Sequence, residues 1–201
     1  ILTSEKYSSY SPSFGTDGDW LYFLSDRAFN ASPGSPWGDR NMGQVFEDRT
    51  EIFAIALNKE ARFPFAPPNE LIANKVDEKK DEDDDKSDDT ANTSIDWDNI
   101  SKRLWQVPTD AGTYSNLMAT KSHLFLLKDG DGRNNDLQAI AFGHNEKLTT
   151  VTSGVSSVQM SGNAKHLLVQ KGRGENAKMF VIPAKASFPK ESDDAQLKLN
   201  G

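Results

Sequence analysis

Short apolar runs, separated by small polar residues, recur along the chain at intervals too short for helices. Trp20 to Leu24, Ile52 to Leu57, His123 to Leu127, Leu137 to Phe142, Val155 to Met160, His166 to Gln170 and Lys178 to Ile182 are all of this kind. Runs of that length bounded by Gly, Asn, Asp and Ser predict β-strands, and helical periodicity is essentially absent. Between Phe14 and Trp20 the turn Thr16-Asp17-Gly18-Asp19 supplies, through Asp-Gly, the positive φ of a tight hairpin. Gly154, Gly162-Asn163 and Gly172-Arg173-Gly174 punctuate the later runs in the same way.

The pattern repeats. Ser115 to Asp129 and Ser156 to Lys171 each set a small polar turn before an apolar strand, as Tyr10 to Arg27 does, and Leu124 and Leu167 stand at equivalent points 43 residues apart. A period of about 40 residues is the size of a four-stranded propeller blade. The predicted fold is all-β, a partial β-propeller of about three blades of four antiparallel strands. Residues 1–74 form the first blade, 95–144 the second, opening at Ile95 to Ile100 and Arg103 to Val107, and 145–201 the third with an exit strand at Gln196 to Leu199. In the third, Lys147 to Thr152 and Val155 to Met160 are expected as separate strands. Trp20, Trp97 and Trp105 fall inside strand patterns and are expected in blade packing.

Two segments break the pattern. Residues 28–49 are rich in Gly, Pro, Ser and Asn and too long for a hairpin turn. An insertion of that kind on a rigid scaffold is a natural binding loop, and Trp37, Arg40, Phe46 and Arg49 are its candidate docking residues for a peptide or a neighbouring domain. Residues 75–94 are an acidic insertion in which positions 76–94 hold nine acidic residues against three lysines, most of the chain's net charge of −7. Such a composition cannot bury enough apolar surface to offset chain entropy and predicts a disordered insertion. With the remainder near neutrality there is no basic surface for phosphate backbones, so nucleic acid is not an expected partner. Nor is there an apolar run long enough to span a bilayer. Cysteine is absent, which leaves no disulfide or thiolate site. The chain begins at Ile1 and stops after a strand-like run, and is expected to be a piece of a longer protein.

Catalytic chemistry has little to stand on. Gly154-Val155-Ser156-Ser157-Val158 lacks the closing glycine of a nucleophile elbow. His123, His144 and His166 are spread over two repeats, and His123 and His166 share one repeat position, as structural residues would. Asp129 to Asp136 is calcium-like in composition, yet Asn134 and Ile140 stand where an EF-hand needs glycine and glutamate, so a hairpin turn between Leu127 and Leu137 is expected. Asp96 and Asp98 are a spaced carboxylate pair whose simpler role is capping or pairing with Arg103. No catalytic residue, metal or cofactor is assigned to the chain.

The stretch I-D-W-D-N-I-x-x-R-x-x-x-V-P from Ile95 to Pro108, the following Gly112-Thr113-Tyr114-Ser115-Asn116-Leu117, the S-P-x-x-x-x-D-G-x-x-L-x-F-x-S-x-R repeat from Ser11 to Arg27, and Phe63-Pro64-Phe65-Ala66-Pro67-Pro68 together resemble the propeller region of tricorn-type proteases, serine peptidases of the S41 class. The Ser-Pro and Asp-Gly repeat is shared with TolB-like (PD40) propellers; Asn99 and Gly15 depart from the glycine and serine usual in the family. The resemblance implies a non-catalytic propeller segment that guides or filters peptide substrates. It also implies further propeller, PDZ-like and protease domains elsewhere in the parent chain, which would carry the proteolysis. A stand-alone TolB-like interaction propeller is the alternative. The resemblance favours a bacterial periplasm over the cytoplasm. Three blades would leave an open arc with two free edges, which predicts either homo-oligomerisation or a twisted, partly covered edge.

Overall fold

The computed structural model describes residues 3, 6–28, 48–68, 95–130, 134–189 and 196–197. Among them the chain forms two antiparallel sheets, and helical structure is confined to the single 3-10 turns Ile100–Lys102 and Gly174–Asn176. No helix among the described residues is long and apolar enough to cross a membrane. The all-β expectation holds.

The first sheet is a meander of β1 (Ser9–Phe14), β2 (Trp20–Asp26), β3 (Thr50–Ala56) and β4 (Leu104–Gln106). Its first hairpin closes as the Asp-Gly turn predicts. Gly18 takes φ 76°, the Gly15 N–H donates to the Trp20 carbonyl over 2.8 Å, and the Asp17 carboxylate accepts the Asp19 N–H over 3.0 Å. Strands β2 and β3 are apolar at consecutive positions because both their faces are covered. One face, with Trp20, Tyr22, Leu24, Ile52 and Ala54, packs on the second sheet. The other gathers Leu21, Phe23, Phe53, Ile55 and Leu57 around Ile100. Full burial of side chains such as Leu24 and Ile52 contributes about 1.5–3 kcal/mol each.

The second sheet runs in chain order through β5 (Tyr114–Ala119), β6 (His123–Asp129), β7 (Asn135–Ala141), β8 (Thr149–Met160), β9 (His166–Lys171) and β10 (Lys178–Pro183). The repeat is visible in its register. Leu124 lies between Ala119 and Ile140, and Leu167 between Met160 and Ile182. Both leucines are fully buried. The first strands of the two sheets share a further feature: β1 bulges at Ser11 (φ 49°) and β5 at Asn116 (φ 51°), each with a one-residue register shift. A second core, including Phe125, Leu137, Val155, Val169 and Ile182, fills the space between β5–β7 and β8–β10.

Four expectations need correction. Leu104–Gln106, expected at the head of the second blade, instead pairs with β3 and closes the first sheet. The backbone accounts for this, since the Ala56 N–H donates to Arg103 and the Val107 N–H to Ile52, which seats Val107 in the core between the sheets. Ile95 to Ile100 forms no strand; it turns across the first sheet and buries Ile100. Lys147 to Thr152 and Val155 to Met160 do not supply two strands, because β8 is continuous. Its first half pairs with β7 and its second with β9, and Gly154, at φ 75°, provides the change of direction between them. Trp97 and Trp105 are not packed away like Trp20, being 64% and 49% exposed.

The acidic insertion and most of the 28–49 loop lie outside the described residues. Of the exit strand, Gln196 bridges to Phe180 and the Leu197 N–H donates to Met179.

Candidate functional site

Of the four docking residues proposed from sequence, Trp37, Arg40 and Phe46 lie outside the described residues. Arg49 is exposed, and its carbonyl accepts the Ala28 N–H over 3.1 Å at the base of the loop. Beside it the Tyr10 hydroxyl, the Thr50 hydroxyl and one Asp26 oxygen form a triangle with every edge 2.9 Å. Burial, with the adjacent Asp26, pushes the Tyr10 hydroxyl above its ordinary pKa, while the Thr50 contact opposes the shift. The triangle joins β1, β2 and β3 and holds the loop's two ends together.

The motif around Asp96 is a bracket. The Asp96 carboxylate meets Lys59 at 2.6 Å and the Arg103 guanidinium at 3.8 Å, and accepts the Asp98 N–H over 3.0 Å. Arg103 also donates to the Asp96 carbonyl. Chiefly through the Lys59 contact, the Asp96 carboxyl is held below its usual pKa. Asp98 points outward with its side chain 85% exposed. The pairing of Asp96 with Arg103 follows the sequence expectation, and both aspartates face Lys59, Asp96 at 2.6 Å and Asp98 at 3.8 Å.

His123 and His166 open β6 and β9, at matching points of the repeat. His123 Nδ1 lies 2.8 Å from the Ser122 hydroxyl, inside a turn whose Thr120 hydroxyl accepts both the Ser122 and the His123 N–H groups. Burial lowers the His123 pKa, partly opposed by Glu146. This serine and histidine are bonded into a turn, an arrangement that accounts for both side chains without substrate. Asp129 and Asn135 pair at the end of the β6–β7 hairpin, as expected for a turn, with residues 131–133 outside the described set.

A wide opening lies elsewhere, along the side of the molecule between β4 and the second sheet. Two adjoining cavities of about 530 and 520 Å³ share Pro108 and Lys147. The first is walled by Phe63, Phe65, Pro67 and Trp105, with His144 and Glu146 opposite. Trp105 stacks on Phe63 with centroids 5.1 Å apart and planes 18° from parallel. Phe63 also meets Trp20 and Phe65, at 5.6 and 5.5 Å, and Phe65 meets Phe142 at 5.6 Å. The half-exposed indole thus stands on an aromatic foundation anchored in the core. The loop below it is tightened by a bond from the Ala66 N–H to Phe63 and another from Arg62 to the Pro67 carbonyl.

The second cavity is polar. Lys128, Lys147, Asp110 and Gln138 border it, together with Thr109, whose hydroxyl is buried without a partner. Tyr114 closes one end, donating to the Asp110 carbonyl over 2.9 Å, and burial pushes its hydroxyl pKa up to about 12. Sequence reasoning missed this groove. Its signal was the Phe-Pro-Phe-Ala-Pro-Pro run, where rigid backbone and rings coincide, but the remaining walls come from segments about 40 residues apart at 105–110 and 144–148.

No protein-family model matches the chain. Tricorn protease homolog 1 of Streptomyces coelicolor is 32% identical over 127 residues, which is 63% of this chain and 11% of that protein. The crystal structure of the tricorn protease aligns with 90% of this chain and 16% of its own at a TM-score of 0.58, with 21% identity. The chain therefore spans a small part of the relatives it matches. On these findings it resembles the tricorn-type proteases in sequence and shares the all-β, propeller-like fold of a segment of the tricorn protease.

Proposed function

We propose that the chain is a non-catalytic β-propeller segment of a tricorn-like S41 serine peptidase, guiding or filtering peptide substrates and docking to PDZ-like and protease regions of the same parent chain. The observation that carries this reading is the 32% identity to a tricorn protease homologue over 127 residues, joined to blade-like meanders that repeat with Leu124 and Leu167 in matching register. The organisation of the chemistry supports it. Ser122 and His123 close a turn and Asp96 braces a loop, so the polar groups are occupied in holding backbone. Propeller blades supply a stiff frame, and function on such frames sits on loops and grooves.

The test is the parent chain beyond Gly201. The reading expects a PDZ-like region and a peptidase domain with a reactive serine there. A parent without them would make the segment a stand-alone interaction propeller and overturn the protease assignment.

A further inference from the structure

The side groove has a third wall that neither its aromatic nor its polar lining describes, the outer edge of β4. Strand β4 is the last in its sheet. The Ala56 N–H bonds to Arg103 and the Val107 N–H to Ile52, flanking an Ala54–Trp105 pair. In an antiparallel ladder this makes Trp105 the residue whose N–H and C=O both turn toward β3, so those of Leu104 and Gln106 turn outward. Among the described residues nothing accepts or donates to them. An edge of this kind is a template for another strand.

Three independent features converge on this edge. The exposed Trp105 ring is braced from behind by Phe63, so it offers a rigid apolar platform at little cost in entropy. Lys128 and Lys147 border the two cavities alongside Asp110 and Glu146, and Arg62 lines a third, smaller opening that shares Phe63, Ala66 and His144 with the aromatic one. Neither Lys128 nor Lys147 is paired with a carboxylate among the described residues. The buried Thr109 hydroxyl without a partner borders the polar cavity.

We propose that this groove binds an extended acidic peptide as an added strand on β4, with an aromatic or branched side chain on the Trp105–Phe63 ledge and carboxylates toward Lys147 and Lys128. Main-chain bonds to Leu104 and Gln106 hold such a peptide, and the ledge and lysines select it. The site lies on the side of the sheets. It rests on the groove alone and does not depend on the parent being a peptidase.

The experiment titrates the 201-residue chain calorimetrically with acetyl-Glu-Val-Phe-Val-Glu-amide. Saturable binding is expected, weakened about tenfold or more by Trp105→Ala and likewise by Lys147→Glu, a change at an exposed position. The same peptide N-methylated at alternate amides is expected not to bind, and its Lys-for-Glu counterpart to bind more weakly. Absence of saturable binding at millimolar peptide overturns the proposal, as does equal binding of the N-methylated or lysine peptide. Concentration-dependent dimerisation abolished by Trp105→Ala, with no peptide binding by the monomer, would assign the edge to a second copy of the chain and also overturn it.

Discussion

Asn116 donates from Nδ2 to the carbonyl of Val158 over 2.8 Å, bonding β5 directly to the far half of β8. The Ala119 N–H donates to the Ser13 hydroxyl over 2.9 Å and joins β5 to β1 in the same manner. Strands β1, β5 and the far half of β8 are therefore linked in series by side-chain bonds, in addition to the apolar cores between them. Asn116 manages this because its residue type tolerates the left-handed backbone of the β5 bulge, φ 51°, and its short amide then reaches across.

Replacing Asn116 separates these two roles. Asn116→Ala loses the bond, about 1 kcal/mol, and strains the backbone by roughly another 1–2 kcal/mol. Asn116→Gly keeps the conformation and loses chiefly the bond. Urea denaturation is expected to place Ala below Gly in midpoint with the slope unchanged. Equal midpoints would show that the bulge is not held in the left-handed region.

Gly154 makes one strand serve two partners. A Cβ there would meet nothing closer than Lys171 Cε at 3.8 Å, so the cost of Gly154→Ala comes from the φ of 75°, roughly 1–2 kcal/mol. Gly172, at φ 73°, differs in having the Asn176 carbonyl oxygen 2.7 Å from the same point. Gly172→Ala is therefore expected to lower the thermal midpoint further than Gly154→Ala. The reverse order would contradict the described path of β8.

The Asp96 bracket predicts an acid response. Its pKa is lowered in the folded chain, so its contribution is present above the ordinary carboxylate value of 3.8 and is lost as pH falls below that toward the folded value. Asp96→Ala removes this dependence and leaves Arg103, already with buried Nε and Nη1 lacking bonds, without its carboxylate. Asp98→Ala should change stability by no more than about 0.5 kcal/mol. Thermal melts of both variants between pH 3 and 7 check this; equal effects of the two substitutions would remove the bracket from the account.

At the alkaline end Tyr114 acts with the opposite sign. Its pKa is raised from 10.0 to about 12 by burial, so it stabilises fully below pH 10 and loses that contribution as pH rises toward 12. Absorbance near 295 nm should show a tyrosine ionising well above pH 10 that disappears in Tyr114→Phe. An unchanged titration curve in that variant would place the late ionisation on Tyr10 or Tyr22, whose values burial also raises.

Much of the frame was legible because local chemistry and global packing agree. The Asp17-Gly18 turn needs one backbone geometry, and the equivalence of Leu124 and Leu167 expresses the same burial twice. Asp96 and Arg103 were legible as a pair because they lie seven residues apart across one turn. The place of β4 was not. A three-residue strand carries almost no periodicity, and its partner β3 lies some 50 residues upstream, with the acidic insertion between. Trp105 was misread for a related reason: an apolar residue in a strand pattern does not reveal that, among the described residues, no strand lies beyond β4. The groove likewise depends on the meeting of three distant loops, which no single stretch of residues expresses.

The central claim is that this segment supports proteolysis carried out by another part of its parent. Labelling the parent protein with a serine-directed fluorophosphonate, followed by mass-spectrometric mapping, tests it most directly. The account predicts a labelled serine outside residues 1–201, and no hydrolysis of a fluorogenic peptide by the isolated segment. A label within 1–201, hydrolysis by the segment alone, or a parent that takes no label would contradict it.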